Sequence, residues 1–262
     1  MGVLDEIVAH KRSELVGHKA GRPLAALVAA CRGLGPARDF DAALRPGTGE
    51  RVRLIAEVKR GSPSRGLFRA DLDPVAQAKI YAGAGAAAVS VLTDARYFHG
   101  SLDDLVAVRA AVPVPVLRKE FIVDEYQLWE ARAAGADAAL LIVAALDDAA
   151  LADLLSAAKG VGLAALVEVH TAAELDRALR VDAPVIGVNN RDLQTLRTSL
   201  EPSLTLLPHV PPGRVAVSES GLARGADVAA VVAAGAHAVL VGETLLRADD
   251  VAAAVRELSL LR

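Results

Sequence analysis

At 262 residues the chain has room for one large α/β domain or two small ones, and 53% hydrophobic residues supply a sizeable core. Aromatic residues make up only 3%, so alanine, valine and leucine must provide most of the packing. The formal net charge of −3 gives no electrostatic basis for binding nucleic acid or an anionic membrane. The single cysteine, Cys31, excludes an intramolecular disulfide and a zinc site built from cysteines.

The amino terminus predicts no targeting segment. Asp5 and Glu6 fall within the first six residues, and no cleavable apolar core follows them. No apolar run reaches membrane-spanning length without a charge or a helix breaker. We therefore expect a soluble, cytoplasmic protein without a membrane or nucleic-acid partner, and a monomer.

The first fifty residues predict a helical extension that precedes the repeating part of the chain. Apolar residues at helical spacing predict an amphipathic helix over 3–17. Pro23 suits the first turn of a second helix that ends near Gly33, and a loop-rich passage follows over 35–49. Residues 1–50 are expected to cap one end of the remaining structure or to form a wall of a pocket.

Repeats give the strongest signal of the fold. Gly85, Gly135 and Gly235 each follow a helix-prone run and precede a continuous apolar run of the length of a buried parallel strand. Their spacings of 50 and 100 residues fit two and four units of about 25 residues. We predict a single (β/α)8 TIM barrel over 51–262. Its strands are expected to begin near Arg53, Ala87, Val114, Ala138, Leu163, Val185, Val215 and Ala238.

One short stretch imitates a nucleotide-binding motif. The run from Gly83 to Ala88 fits the pattern G-x-G-x-x-G/A. That pattern binds a dinucleotide when it follows a strand and opens a helix. Here it closes a predicted helix and opens a predicted strand, so we interpret it as a helix stop.

Charged and polar side chains follow the predicted strands where those strands end. In a (β/α)8 barrel these carboxyl ends surround one mouth, where active sites lie. A structural ion pair would explain Glu57 and Lys59 alone, which lie on the same side of the first strand. Several strand ends that converge on one mouth indicate a functional site instead. The residues concerned are Glu57, Lys59, Ser62, Ser90, Phe98, Lys119, Glu168, Asn189, Arg191, Glu219, Ser220, Gly242, Glu243 and Thr244.

This polar set divides into two halves by chemistry. The turns at Gly221 and Gly242 precede predicted helices, and backbone N–H groups in such places bind phosphate. Ordinary glycine turns are the alternative. The other half combines two lysines with two glutamates, which can separate the lysine pKa values so that one lysine binds an anion and the other donates a proton. The six histidines form no metal-ligand pattern, so no metal is expected.

Seven motifs occur along the chain in a distinctive order: Glu57-Val-Lys59-Arg-Gly-Ser62-Pro-Ser64, Ser90-Val-Leu-Thr-Asp, Leu117-Arg-Lys119-Glu-Phe121, Leu140-Leu-Ile-Val-Ala-Ala-Leu, Leu166-Val-Glu168-Val-His170, Val188-Asn189-Asn-Arg191-Asp-Leu and Ser218-Glu219-Ser220-Gly221. In these motifs and their order the chain closely resembles the indole-3-glycerol-phosphate synthase family over nearly its whole length. The resemblance implies closure of 1-(2-carboxyphenylamino)-1-deoxyribulose 5-phosphate to indole-3-glycerol phosphate in tryptophan synthesis. Carbon dioxide and water are released without a cofactor.

The resemblance also implies a role for each site residue. Lys119 is the general acid, Glu168 the general base, and Lys59 the partner of the substrate carboxylate and a candidate donor in the dehydration. Glu57 orients Lys119, while Asn189 and Glu219 bind hydroxyls or intermediates. The expected phosphate ligands are Ser62, Ser220, Gly221 and Gly242, with Arg191 and Glu243 nearby; Phe98, Phe121 and Leu140 are expected to form the slot for the aromatic ring.

Two features depart from the family pattern. Some relatives carry Asp where Glu120 stands, and Gly-Ser where Gly242 and Glu243 stand. Backbone amides bind phosphate without a serine hydroxyl. The absence of this serine therefore bears only on the roles in phosphate binding expected of Glu243 and Thr244.

Two other classes of function are weighed against this one. A phosphoribosylanthranilate isomerase would need a Cys/Asp acid–base pair, and Cys31 precedes the first predicted strand. A non-catalytic barrel that senses a phosphorylated metabolite would need the phosphate half, but not the lysines and glutamates opposite it.

Overall fold

The computed structural model describes residues 2–47, 52–63, 66–67 and 69–260. Its centre is a closed barrel of eight parallel strands, and helical segments connect each strand to the next. The predicted (β/α)8 barrel is therefore confirmed. Ser64 of the loop after the first strand lies outside the described residues, as does the predicted boundary between residues 50 and 51.

All eight barrel strands begin within two residues of the predicted positions. Each pairs in parallel with its neighbours, and the strand order around the barrel follows the order in the chain. A two-stranded hairpin, Gly61–Ser62 (β2) with Gly66–Leu67 (β3), stands outside the barrel. The barrel strands are β1 Arg53–Val58, β4 Ala88–Leu92, β5 Val116–Lys119, β6 Ala138–Ile142, β7 Ala164–Val169, β8 Val185–Asn189, β9 Val215–Glu219 and β10 Ala238–Val241.

The helices alternate with the strands after an amino-terminal group of three. In order they are α1 Val3–Gly21, α2 Leu24–Cys31, α3 Phe40–Ala43, α4 Pro74–Gly83, α5 Ala95–Phe98, α6 Leu102–Ala111, α7 Glu125–Ala133, α8 Asp148–Gly160, α9 Ala172–Arg180, α10 Glu201–Leu206, α11 Gly225–Ala233, α12 Glu243–Arg247 and α13 Val251–Leu258. Two short 3-10 turns lie at Val143–Ala145 and Leu207–His209. No helix in the described ranges is both long and apolar enough to cross a membrane.

The repeated glycines end helices as predicted. Gly85, Gly135 and Gly235 have φ values of 105°, 87° and 113°, a region that side chains with a Cβ atom rarely adopt. In each case a barrel strand begins three residues later. The run that imitates a nucleotide-binding motif contains the first of these helix stops.

Two separate cores stabilise the barrel. One lies between the strands and the surrounding helices, and it contains residues such as Leu54, Val89 and Val167. The other fills the barrel interior with the alternate residues of the same strands, such as Ile55, Leu117 and Leu166. Strands that are buried on both faces must be apolar throughout, which explains the continuous apolar runs in the sequence.

The amino-terminal extension covers both ends of the barrel. Leu4 and Ile7 of α1 join the interior core at the carboxyl ends of the strands, while Phe40 of α3 joins it at the opposite end. Helix α2 packs against α7 on the outside. The extension thus contacts the barrel at both ends, and α1 lines the cavity at the mouth.

The extension differs from prediction in three details. Helix α1 continues to Gly21 and not 17. Pro23 caps α2 from outside and is not in its first turn. The short helix α3 lies within the predicted loop, because the Asp39 carboxylate accepts a hydrogen bond from the Ala42 amide.

A buried ion cluster fastens α1 to the barrel mouth. The Lys11 ammonium lies 2.9 Å from the Asp94 carboxylate and 3.2 Å from the Glu120 carboxylate, and also bonds Glu14 at 2.6 Å. Asp94 caps α5, and Glu120 follows directly after β5. Lys11 therefore connects three elements at the mouth, and its side chain is only 5% exposed.

Removal of this ammonium should destabilise the protein strongly. We expect Lys11→Ala to lower the free energy of unfolding by roughly 3 to 5 kcal/mol, because buried carboxylates lose their cation. Lys19→Ala, on the same helix, removes a half-exposed pair with Asp124 and should cost less than about 1 kcal/mol. Denaturant unfolding measures both variants, and equal losses would contradict the importance of the cluster.

Candidate active site

The structure brings the predicted site residues together at the carboxyl ends of the barrel strands. Two adjoining cavities open there and share part of their lining. The first is lined by Glu57, Lys59, Ser62, Phe98, Lys119, Phe121, Leu140, Glu168, Asn189, Arg191 and Ser220. The second adds Gly221, Gly242 and Glu243, with Thr244 behind them. Glu219 lies beneath both cavities and is fully buried.

Lys119 stands at the centre of this mouth, between two carboxylates. Its Nζ atom donates hydrogen bonds to Glu168 Oε2 at 3.0 Å and to Glu219 Oε2 at 2.8 Å. The three residues lie at the carboxyl ends of the strands β5, β7 and β9, so the ammonium joins strands from separate parts of the barrel wall. Asn189, at the end of β8, lies opposite Glu219 in the strand register and hydrogen-bonds Glu168.

Gly187 makes the space that Glu219 occupies. A Cβ atom at this position would overlap the Glu219 carboxylate and approach Leu166 Cδ1 to 3.1 Å. Only glycine therefore allows this carboxylate to lie inside the barrel at this level. The sequence analysis did not identify Gly187; the signal was a glycine in the middle of a predicted buried strand, where it often marks a close approach.

The charges of the cluster set its proton affinities. Burial alone would lower the pKa of Lys119. The negative charges of neighbouring carboxylates outweigh burial and raise this pKa above its usual value; they belong to Glu168, Glu219 and Glu57. Burial acts in the opposite sense on Glu168, but the charge of Lys119 lowers the pKa of this carboxyl below its usual value. At neutral pH, Lys119 is thus an ammonium and Glu168 a carboxylate.

Glu219 carries the excess negative charge of the cluster. Burial raises the pKa of Glu219 to about 7; Lys119 opposes this shift, and the charge of Glu168 adds to it. One ammonium cannot fully compensate two buried carboxylates, so one of them retains a proton more readily. Glu219 therefore gains or loses a proton near neutral pH.

Lys59 and Glu57 form a second pair on the opposite wall. Lys59 Nζ lies 2.7 Å from Glu57 Oε1, and both side chains are largely buried. Glu57 was expected to orient Lys119, but its side chain hydrogen-bonds a different lysine. The hydrogen-bond partner of Glu57 is Lys59, and Glu57 acts on Lys119 through its charge.

The predicted phosphate flank contains two unusual turns. Ser220 and Gly221 both have positive φ, at 67° and 76°, so the chain turns sharply directly after β9. A Cβ atom on Gly221 would approach Thr198 Cγ2 to 2.7 Å, and one on Gly242 would approach Glu57 Oε1 to 2.5 Å. Glycine thus leaves the backbone at both turns open to the cavity.

Glu243 is neutralised by two arginines. Its carboxylate lies 3.7 Å from Arg191 and 3.1 Å from Arg247. The structure therefore links the predicted residues Arg191 and Glu243 to each other across the rim of the second cavity.

An apolar slot occupies the other side of the mouth. The rings of Phe98 and Phe121 lie 6.0 Å apart between centroids at an angle of 40°, and Leu140 lines the wall between strands. Helix α1 closes this slot with three residues that the sequence analysis did not assign to the site: Val3, Leu4 and Ile7. A signal for this contact existed, because Lys11 shares the apolar face of α1 with Leu4, Ile7 and Leu15.

The mouth thus combines a proton donor, a carboxylate base, a polar turn region and an apolar slot. This set suits acid–base chemistry on a small molecule that carries an anionic end and an aromatic ring. Among residues 2–47, 52–63, 66–67 and 69–260, no group of three His, Cys, Asp or Glu side chains is arranged to hold a metal ion.

Comparisons with known proteins agree with this arrangement. A family model described as "Indole-3-glycerol phosphate synthase" matches residues 4–258. The chain is 51% identical to an indole-3-glycerol phosphate synthase of Laribacter hongkongensis, over 98% of each chain. It is 50% identical to the same enzyme of Kineococcus radiotolerans, over 98% of this chain and 95% of the other.

A likeness to solved structures extends to the barrel alone. The 3-hexulose-6-phosphate synthase of Salmonella typhimurium aligns with a TM-score of 0.65 at 16% identity. The alignment covers 80% of this chain and 98% of the other.

The raised pKa of Glu219 predicts how stability depends on pH. The folded protein holds the Glu219 proton more tightly than the unfolded chain does. The stability that this proton contributes is therefore complete below about pH 4.5 and is lost as the pH rises through about 7. Glutamine cannot titrate. The wild type should therefore lose stability relative to Glu219→Gln between about pH 5 and about pH 8. The difference in the free energy of unfolding, variant minus wild type, should increase over this range. Denaturant unfolding across this range measures it, and a constant difference would contradict the assignment.

Proposed function

The chain belongs to the indole-3-glycerol phosphate synthase family, and we propose that the cluster around Lys119 performs the proton transfers of that family's reaction. The enzyme converts 1-(2-carboxyphenylamino)-1-deoxy-D-ribulose 5-phosphate to indole-3-glycerol phosphate, carbon dioxide and water, in tryptophan biosynthesis. One observation supports the proposal above all. The Lys119 ammonium is held between two carboxylates where the polar turns and the apolar slot meet.

Lys119 is the proton donor for ring closure. An anthranilate ring carbon attacks the substrate ketone, and the ketone oxygen takes a proton as its double bond to carbon breaks. A raised pKa keeps Lys119 charged until this step. Its two carboxylate partners fix the direction of the ammonium, so its third N–H can face the substrate.

Lys59 is the partner of the substrate carboxylate. Its ammonium lies across the mouth from Glu168 and is anchored by Glu57 at 2.7 Å. A cation in this place holds the carboxylate until it leaves as carbon dioxide. The charge of Glu57 also stabilises cationic intermediates that follow the loss of carbon dioxide.

Glu168 is the general base. Its lowered pKa keeps it ionised at neutral pH, ready to remove the carbon-bound proton as the pyrrole ring becomes aromatic. Asn189 hydrogen-bonds this carboxylate and lines the same cavity. Asn189 and Glu219 bind hydroxyls or intermediates of the reaction.

The two flanks hold the two ends of the substrate. The phosphate binds at Ser62, Ser220, Gly221 and Gly242, with Arg191 and Glu243 at the rim; the aromatic ring lies between Phe98, Phe121 and Leu140. One chain supplies every residue of this scheme, so the proposed site needs no residue from a second subunit.

The structure gives no support to the isomerase alternative. Cys31 lies at the end of α2, where its thiol hydrogen-bonds the Trp129 carbonyl, and it does not line the cavities at the mouth. A pure sensor would have no need of the buried lysine–glutamate cluster, which is costly to fold.

Replacement of Lys119 by alanine should greatly slow turnover but leave the affinity for a substrate analogue almost unchanged. We expect Lys119→Ala to reduce kcat by at least ~100-fold, the scale of a lost general acid. The dissociation constant of an analogue with its ketone reduced to an alcohol should change little. Indole fluorescence measures turnover, and Lys159→Ala on the exposed side of α8 is the control for loss of a lysine. If Lys119→Ala turned over at the wild-type rate, Lys119 would not be the proton donor.

A further inference from the structure

The proposed reaction uses more protons than its base returns. The ketone oxygen leaves as water, so it takes up two protons from the enzyme. Glu168 recovers only one, from carbon. The remaining proton comes from solvent, because the substrate carboxylate departs as neutral carbon dioxide. A second proton must therefore reach the substrate while it still fills the mouth.

Two groups at the mouth are alternative sources of this second proton: Glu219, whose pKa is about 7, and Lys59. Lys119 has already given up its proton in the ring closure. Its two partners are almost completely removed from water, with Glu168 2% and Glu219 0% exposed. Lys59 is one candidate donor, but it is engaged with Glu57 on the opposite wall.

His170 lies directly behind the base. The Glu168 carboxylate uses its two oxygens in two directions: Oε2 accepts from Lys119 at 3.0 Å, and Oε1 lies 3.5 Å from His170 Nε2. His170 Nε2 is buried and has no hydrogen-bond partner among the described residues. Its separation from Oε1 is just beyond hydrogen-bond length, so a small movement of either side chain would close the contact.

The other ring nitrogen of His170 is fixed by Glu174. Nδ1 lies 3.2 Å from Glu174 Oε2, and the same oxygen accepts the His170 backbone N–H at 2.8 Å. The ring is therefore held with Nε2 towards the active site. His170 and Glu174 line a separate open cavity of about 900 Å³. Neither residue lines the slot for the aromatic ring.

The charges around His170 favour its imidazolium form. Burial would lower the pKa of His170, but the hydrogen bond to Glu174 and nearby negative charges outweigh it and raise this pKa above its usual value. The carboxylates that face it come from three parts of the fold: Glu168 and Glu174 around β7, Glu219 at the end of β9, and Asp192 in the loop after β8. These charges thus favour a proton on His170.

We propose that His170 is a proton reservoir that acts through Glu168. This inference rests on the proposed function. After ring closure the Nε2–H bond of His170 breaks and an Oε1–H bond forms on Glu168. The Glu168 carboxyl group then turns about its Cγ–Cδ bond, which brings its O–H to the neutral Lys119 amine. The O–H bond breaks as an N–H bond forms, and the restored ammonium donates a proton to the departing hydroxyl.

The cycle closes with all protons accounted for. Glu168, again a carboxylate, takes the proton from the substrate carbon and returns it to His170 Nε2. Lys119 regains its proton from water once the product has left. Two protons are given to oxygen, one is returned from carbon, and one enters from solvent.

The test separates the two proton donations in a single turnover with enzyme in excess. His170→Asn keeps a polar contact towards Glu174 but cannot store a proton. We expect loss of carbon dioxide at the wild-type rate, followed by indole formation slowed at least about tenfold. The decarboxylated alcohol intermediate should accumulate and be detectable by mass spectrometry after acid quench. KM should stay within about twofold of wild type, because His170 does not touch the substrate slot.

Two further variants distinguish a proton role from a structural one. In His170→Ala the ring is missing beside an open cavity, so added imidazole should restore part of the rate of indole formation. His209→Asn, on an exposed turn, is the control and should behave as wild type.

Each remaining outcome would overturn the inference. Indole formation at the wild-type rate in His170→Asn would exclude His170 and leave Lys59 and Glu219 as sources of the second proton. An equal slowing of both steps, or a raised KM without rescue by imidazole, would show that His170 only supports the fold. Failure of the wild-type enzyme to form any indole product would instead refute the proposed function itself.

Discussion

The ammonium of Lys119 lies between the carboxylates of Glu168 and Glu219, and this three-charge contact constrains most of the barrel mouth. Buried charges are tolerated only when they are paired, so three strand ends must meet at hydrogen-bond distance. Gly187 provides the space for the deeper carboxylate. The imbalance of one cation against two anions also has chemical use. It keeps Lys119 charged and leaves Glu219 with a pKa of about 7, so the mouth can store and release protons at the pH of a cell.

The amino-terminal helix is part of this mouth and not an accessory to it. The tip of β5 carries Lys119 into the cavity and, one residue later, Glu120 into the cluster around Lys11. The same cluster holds Asp94, which caps the helix that presents Phe98. Loss of the Lys11 contacts would therefore disturb Lys119, the apolar slot and the part of helix α1 that closes this slot. The contribution of α1 to the site is electrostatic as well as steric.

The sequence was sufficient to predict the barrel, the starts of its strands and the residues at its mouth. Strands buried on both faces produce continuous apolar runs, and helix-ending glycines such as Gly135 precede three of them. The pairing inside the mouth could not be predicted. Lys119 and Glu219 are a hundred positions apart, and their contact depends on the register around a closed barrel. The pair of Glu57 and Lys59, by contrast, joins residues two positions apart on one strand and was visible in the sequence. For α1 the sequence left two places open, an end cap and a pocket wall, because an amphipathic pattern shows which face is buried but not what covers it.

The most direct test is a crystal structure of the enzyme with a substrate analogue in which the ketone is reduced to an alcohol. Our account predicts that the alcohol oxygen lies within about 3.2 Å of Lys119 Nζ. The analogue's phosphate should contact the turns at Gly221 and Gly242, with its aromatic ring between Phe98 and Phe121. An alcohol oxygen out of reach of Lys119, or a phosphate bound beside Glu168, would contradict it.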